Sequence, residues 1–367
     1  MNQFMTALMA AGVVLGGIDR IFGNRSGYGE KFEEGFRLLG PTALSMVGMI
    51  CLAPVLADVL GRVIVPFYRA VGVDPGMFGS LLAIDMGGYQ LAKELAVETK
   101  IGSYAGIVVS AVFGCTLVFT IPVGMGMIEK KDRGCFAKGI MLGLAAMPVG
   151  LVFGGLLAGL SWSECLHQNL PVFGAAFLLL LGLRKIPDKM VKGFCALAAG
   201  IRILITAGLV LGAVEFLCGI NPVPGMAPIE EAMEVVASIG IVMLGSLPAA
   251  ELLRRVSERP FAALGERLGM RSVSLTGMLL GFVSPMPVFA LYRDMDEKGK
   301  VAAGAFLVSG ASLLAAHMGF TLSTEPPMLT ALFCGKVCGA FAAAALAFWL
   351  EGRRARVKDD DSMQNFK

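Results

Sequence analysis

Eight stretches of the chain stay apolar for about 20 residues or more, at residues 4–22, 38–57, 102–128, 136–160, 191–217, 232–253, 301–322 and 329–350. A helix needs roughly 20 such residues to cross ~30 Å of hydrocarbon, so each run predicts a transmembrane helix. Residues 170–183 form a shorter ninth candidate. Two further apolar stretches, 76–96 and 272–292, are interrupted in the middle, the first by Asp85-Met86-Gly87-Gly88 and the second by Ser284-Pro285-Met286-Pro287. Paired glycines and prolines break the backbone ladder, so neither reads as one continuous helix. The pattern predicts an all-α integral membrane protein of about nine transmembrane helices plus two re-entrant, broken helical hairpins.

The polar connections set the expected topology. Lys and Arg concentrate in residues 20–37, 130–138, 184–192, 254–271, 293–300 and 353–358, and are missing from 161–169, 219–231 and 323–328. Short cytoplasmic loops carry the positive excess. If both broken stretches return to the side they entered, all the rich loops fall inside and all the empty ones outside. The N-terminus is then outside and the C-terminus inside. An internal repeat fits the same plan: Pro54 and Pro66 are matched by Pro248 and Pro260 at an offset of 194, Leu81-Leu82 by Leu279-Leu280 at 198, and Phe136 by Phe333 at 197. Five crossings separate the two copies, so their orientations are opposite, the inverted-repeat arrangement of many secondary transporters. The expected organisation is a first span and cytoplasmic loop (1–35), repeat 1 with its hairpin (36–160), linking spans (161–231), repeat 2 with its hairpin (232–350) and a charged cytoplasmic tail (351–367).

Composition agrees with a lipid solvent. Hydrophobic residues make up 56% of the chain and charged ones 16%, against about 25% charged in a soluble domain. The 48 glycines suit helices that pack closely in lipid. A net charge of +3, spread over short clusters, gives no nucleic-acid surface. The eight cysteines contain no CxxC pair, so they read as small buried residues and no metal or other cofactor is expected. No GxxxxGK[ST], HExxH or GxSxG motif occurs, and the chain does not read as an enzyme.

Chemistry is expected at the breaks. Asp85, a carboxylate interrupting an apolar segment, either caps the helix that follows or binds a cation, and both roles can coexist. Gly87 and Gly88 admit close backbone approach, or simply form a hairpin tip. Tyr89 offers an aromatic face to an ammonium, and Gln90 an amide to a hydroxyl; either could equally be packing. Lys93 and Glu94 read as residues that snorkel or pair at a helix end. His317, near the end of a span, is either a hydrogen-bonded structural histidine or a ligand. Arg202, in mid-span, calls for a carboxylate partner, with Asp85, Asp58 and Glu215 as candidates.

The run Asp85-Met86-Gly87-Gly88-Tyr89-Gln90-Leu91-Ala92-Lys93-Glu94-Leu95-Ala96 resembles the EutH-type ethanolamine permeases. So do Phe32-Glu33-Glu34-Gly35-Phe36, Val47-Gly48-Met49, Leu52-Ala53-Pro54-Val55-Leu56-Ala57, Ile121-Pro122-Val123, Met295-Asp296 with Gly299-Lys300-Val301, and His317-Met318-Gly319-Phe320. The second half departs from the pattern at Ser284-Pro285, where an Asn-Asn pair is expected, and at Ala316, where an acid is expected. The resemblance implies a protein of the bacterial cytoplasmic membrane that admits ethanolamine for breakdown by a cobalamin-dependent lyase in a microcompartment. With it, the expected site comprises Asp85, Gly87, Gly88, Tyr89, Gln90, Ser284 and His317, with Asp85 on the ammonium and Gln90 or Ser284 on the hydroxyl. An ion-coupled symporter for another small polar or cationic metabolite, or a channel-like facilitator, is the alternative. The expected partners are the small-molecule substrate and the lipid bilayer, and a homo-oligomer stays open.

Overall fold

In lipid every backbone N–H and C=O must be satisfied inside the segment that carries it, which favours helix wherever an apolar run is exposed. Residues 2–82 and 88–364 are described in the computed structural model of the chain, and no strand occurs among them. The helices run in the order α1 (Asn2–Ile21), α2 (Tyr28–Arg37), α3 (Leu39–Ala70), α4 (Gly76–Gly79), α5 (Gly88–Leu95), α6 (Thr99–Tyr104), α7 (Ile121–Met127), α8 (Arg133–Leu157), α9 (Trp162–Gln168), α10 (Leu170–Lys185), α11 (Pro187–Cys218), α12 (Ile229–Leu268), α13 (Ser272–Gly281), α14 (Pro285–Leu291), α15 (Glu297–Gly310), α16 (Met318–Thr324) and α17 (Leu329–Gln364).

Among the described residues, eight helical stretches are long and apolar enough to cross a membrane, one for each of the eight predicted runs. The bent pair α9–α10, with 50° between its halves, supplies the ninth. The rods spanning Thr99–Met127 and Glu297–Thr324 are not uniform. Residues Ala105–Gly114 and Thr116–Thr120 of the first, and Leu313–His317 of the second, are wound as π-helix, a form that concentrates at functional positions.

Both broken stretches fold back. Asp74, just before α4, accepts the backbone N–H of Gly76 and also those of Val97 and Glu98, just after α5. The two feet of the first hairpin therefore share one carboxylate. Between them a side chain on Gly79 would run into the backbone of Ala92, so the arms are in direct contact. Asp296 does the same for α13 and α14: it accepts from Arg271 N, the Ser274 hydroxyl and Gly299 N at 3.1, 2.7 and 3.1 Å.

The two pairs of feet lie at opposite ends of α8. Beside the first hairpin, Lys100 donates to Gly159 O, which follows α8. Beside the second, Lys300 pairs at 2.7 Å with Asp132, which precedes it. A 25-residue helix is ~37 Å long and separates those points by a full membrane thickness. Helix α8 crosses α17 through Gly150 and Gly154 facing Gly335 and Gly339, where a side chain on Gly150 would meet the Gly335 carbonyl. Two further glycine contacts join the rest: Gly12 of α1 on Gly245 of α12, and Gly48 of α3 on Gly208 of α11. Small residues at such crossings let helices associate where no hydrophobic effect drives them together.

Candidate functional site

Helix α5 carries the first cluster. The Tyr89 hydroxyl donates to Glu325 Oε2 at 2.5 Å, and Lys93 Nζ lies 3.1 Å from the same oxygen. Lys93 Nζ also stands 5.5 Å from the centre of the Tyr89 ring, within cation–π range. The ring is held from the other side by the edge of Phe320, 5.3 Å between centroids. It also packs over Gly106, where a Cβ would meet it at 2.8 Å. The cluster joins sequence positions 236 residues apart. Burial pushes the Glu325 carboxyl up, but the hydrogen bonds from Tyr89 and Lys93 and the charge of Lys93 outweigh it and hold the group below its ordinary 4.5.

The tip of the second hairpin carries another. Ser284 caps α14, its hydroxyl accepting from Met286 N at 3.3 Å. The tip is bound to the break in the second rod, since Gly281 O accepts from Ser312 N and Phe282 O from Leu314 N, at 3.0 and 2.7 Å. Ser312 takes a left-handed φ of 57° to make this turn. Ser284 lines a cavity of about 100 Å³ with Leu314, Glu251, Arg254, Lys31 and Glu34. Two of its walls are ion-paired, Glu251 with Arg254 at 2.7 Å and Lys31 with Glu34 at 2.6 Å.

His317 ends the second π-helical segment and is fully buried. Neither ring nitrogen has a hydrogen-bond partner among the described residues. Lys336 is also fully buried and donates at 2.7 Å to Ala111 O, a carbonyl in the first π-helical segment.

The expected site residues thus fall into separate groups. Ser284 and His317 share the region where the second hairpin meets its rod, whereas Tyr89 belongs to the Glu325 cluster. Gln90 turns its amide to Glu94 of its own helix, at 3.3 Å. Gly88 is the first, buried residue of α5, and Asp85 and Gly87 lie outside the described residues. The Arg202 side chain is exposed on α11 and forms no ion pair among the described residues; of its candidate partners Asp58 is taken by Arg62 at 2.9 Å, and Asp85 lies outside those residues. Helix α11 buries Ile201 and Ile205 and sets Gly208 on Gly48 of α3, which leaves position 202 on the outer face. Glu325 and Lys336 escaped the sequence reading. Lys336 had a signal, a lone cation inside the run 329–350 of the kind that marks function in a membrane.

Helical throughout its described residues, with eight or nine helices long and apolar enough to cross a membrane, the chain is an all-α integral membrane protein. The chain belongs to the EutH family: the family described as "Ethanolamine utilisation protein, EutH" matches residues 1–350. It is 40% identical over 353 residues to the "Probable ethanolamine permease EutH" of Listeria monocytogenes, covering 96% of this chain and 95% of that protein. To the Escherichia coli protein of the same description it is 37% identical over 388 residues, covering 95% of each. It is also 37% identical over 350 residues, again 95% of each, to the "Uncharacterized protein YxeR" of Bacillus subtilis. No solved structure matches the chain.

Proposed function

We propose that this membrane transporter takes up ethanolamine across the bacterial cytoplasmic membrane by alternating access between its two hairpins. The observation that carries the reading is the placement of the hairpin feet at opposite ends of α8. Two hairpins footed on opposite faces can seal one path alternately. The repeating order of elements supports an inverted repeat: α1, α3, hairpin, π-wound rod, α8, then α11, α12, hairpin, π-wound rod, α17. The positively charged connections put the N-terminus outside and the C-terminus in the cytoplasm. In this arrangement Tyr89, Lys93 and Glu325 close the outer end, while the cavity at Ser284 serves the inner one. The chain moves its substrate unchanged and is not an enzyme.

Asp85 is the proposed counter-charge for the substrate ammonium, flanked by Gly87 and Gly88. The experiment is uptake of labelled ethanolamine into proteoliposomes by the wild type and by Asp85→Asn, which keeps capping ability. A charge-assisted hydrogen bond contributes about 1.5–3 kcal/mol, so half-saturation should rise roughly ten- to a hundredfold. Unchanged half-saturation would make Asp85 a cap alone. Flux that never saturates would instead favour a channel-like facilitator.

A further inference from the structure

We propose that the Tyr89 ring and the Glu325 carboxylate form a receptor for a primary ammonium group at the outer end of the path, and that Lys93 fills it as a tethered stand-in for the substrate. The inference rests on the reading that the substrate is a small amine. A primary ammonium in a protein asks for a carboxylate oxygen within hydrogen-bond reach and an aromatic face behind it. Lys93 Nζ has both, Glu325 Oε2 at 3.1 Å and the Tyr89 ring centre at 5.5 Å.

The receptor does not need Lys93 to hold its shape. The Tyr89 hydroxyl is bonded to Glu325, its ring is braced by the edge of Phe320, and Gly106 leaves it room from below. Withdrawing Lys93 therefore leaves a carboxylate and a ring already set for another ammonium. The groups are also accessible: the Lys93 and Glu325 side chains are 31% and 21% exposed. Lys93 stands on α5, the second arm of the first hairpin, which begins at Gly88. An arriving ammonium that displaces Lys93 takes its place on Glu325, 232 residues away in the other half of the chain, while the Tyr89 hydroxyl keeps α5 bonded to that carboxylate. A neutral molecule of the same size cannot make that exchange.

A tether that occupies its site about nine-tenths of the time weakens a free ligand's apparent affinity roughly tenfold. Removing the Lys93 charge while keeping its stem should then tighten binding, whereas a merely structural ion pair predicts weaker binding or none. The test is equilibrium binding of labelled ethanolamine to the purified full-length protein, with unlabelled methylammonium and ethylene glycol as competitors. Lys93→Met is expected to bind roughly tenfold more tightly than wild type, and Lys93→Arg, which keeps the stand-in charge, about as wild type. Adding Glu325→Gln to Lys93→Met should abolish the gain, and ethylene glycol should not compete. Lys93→Gln replaces Lys93→Met if the latter does not fold. Unchanged or weaker binding by the charge-removing variant, or a gain that survives Glu325→Gln, overturns the proposal. The Asp85→Asn comparison keeps the two readings apart, because the gain at Lys93 is measured against ethanolamine affinity and does not depend on Asp85 being the interior counter-charge.

Discussion

Asp132 and Lys300 are a buried ion pair that fastens the start of α8 to the start of α15. The nitrogen and oxygen are 2.7 Å apart, and each side chain keeps a tenth or less of its surface exposed. The second Asp132 oxygen has no hydrogen-bond partner among the described residues. Removing one member of such a pair leaves a desolvated charge, at a cost of about 3–5 kcal/mol, whereas replacing both with apolar residues is often neutral. Asp132→Leu should therefore lower the thermal midpoint of the detergent-solubilised protein markedly, and adding Lys300→Met should restore most of it. Equal midpoints for the single and double variants would show that the pair is not coupled. Partners of this kind were not legible in the sequence, where Asp132 and Lys300 sit in loops that read only as positive-rich connections. Tyr89 was legible as an aromatic face for an ammonium, but the carboxylate it meets is 236 residues distant, and no local pattern joins them.

The hairpins illustrate what an element can announce about itself. Asp85-Met86-Gly87-Gly88 and Ser284-Pro285-Met286-Pro287 showed that two apolar runs break, because Gly pairs and Pro deny the helix its ladder. The eight long spans were equally visible, since lipid demands an uninterrupted apolar run. The π-wound segments were not, because their sequence is as apolar as any helix and the winding follows from packing. Nor was the closure of each hairpin by a single aspartate at its feet. Asp74 receives three backbone N–H groups from both feet, each worth about 1.5–3 kcal/mol when the acceptor is charged. Asp74→Ala is expected to loosen the first hairpin alone, seen as faster backbone amide exchange over residues 76–98 while the segment 272–296 keeps its protection. Unchanged exchange at residues 76–98 would mean that the arms hold without their foot.

Across the whole molecule, the proposed topology makes a demand on accessibility. In a background lacking the eight native cysteines, single cysteines replacing Arg259 and Lys298 should react with an impermeant thiol reagent on one face of sealed vesicles, and one replacing Pro224 on the other. Arg259 and Lys298 on opposite faces would mean that the second hairpin crosses, against the joint hold of Asp296 on its two feet. The long-range bonds at Glu325 also impose an order on synthesis. Chains grow at about 5–20 residues per second, so Tyr89 leaves the ribosome roughly 12 to 47 seconds before the carboxylate 236 residues behind it. Throughout that interval Tyr89 and Lys93 wait without the carboxylate that later joins them. The first hairpin's bonds to Glu325 are thus among the last to form, and the second half of the chain completes the packing of the first.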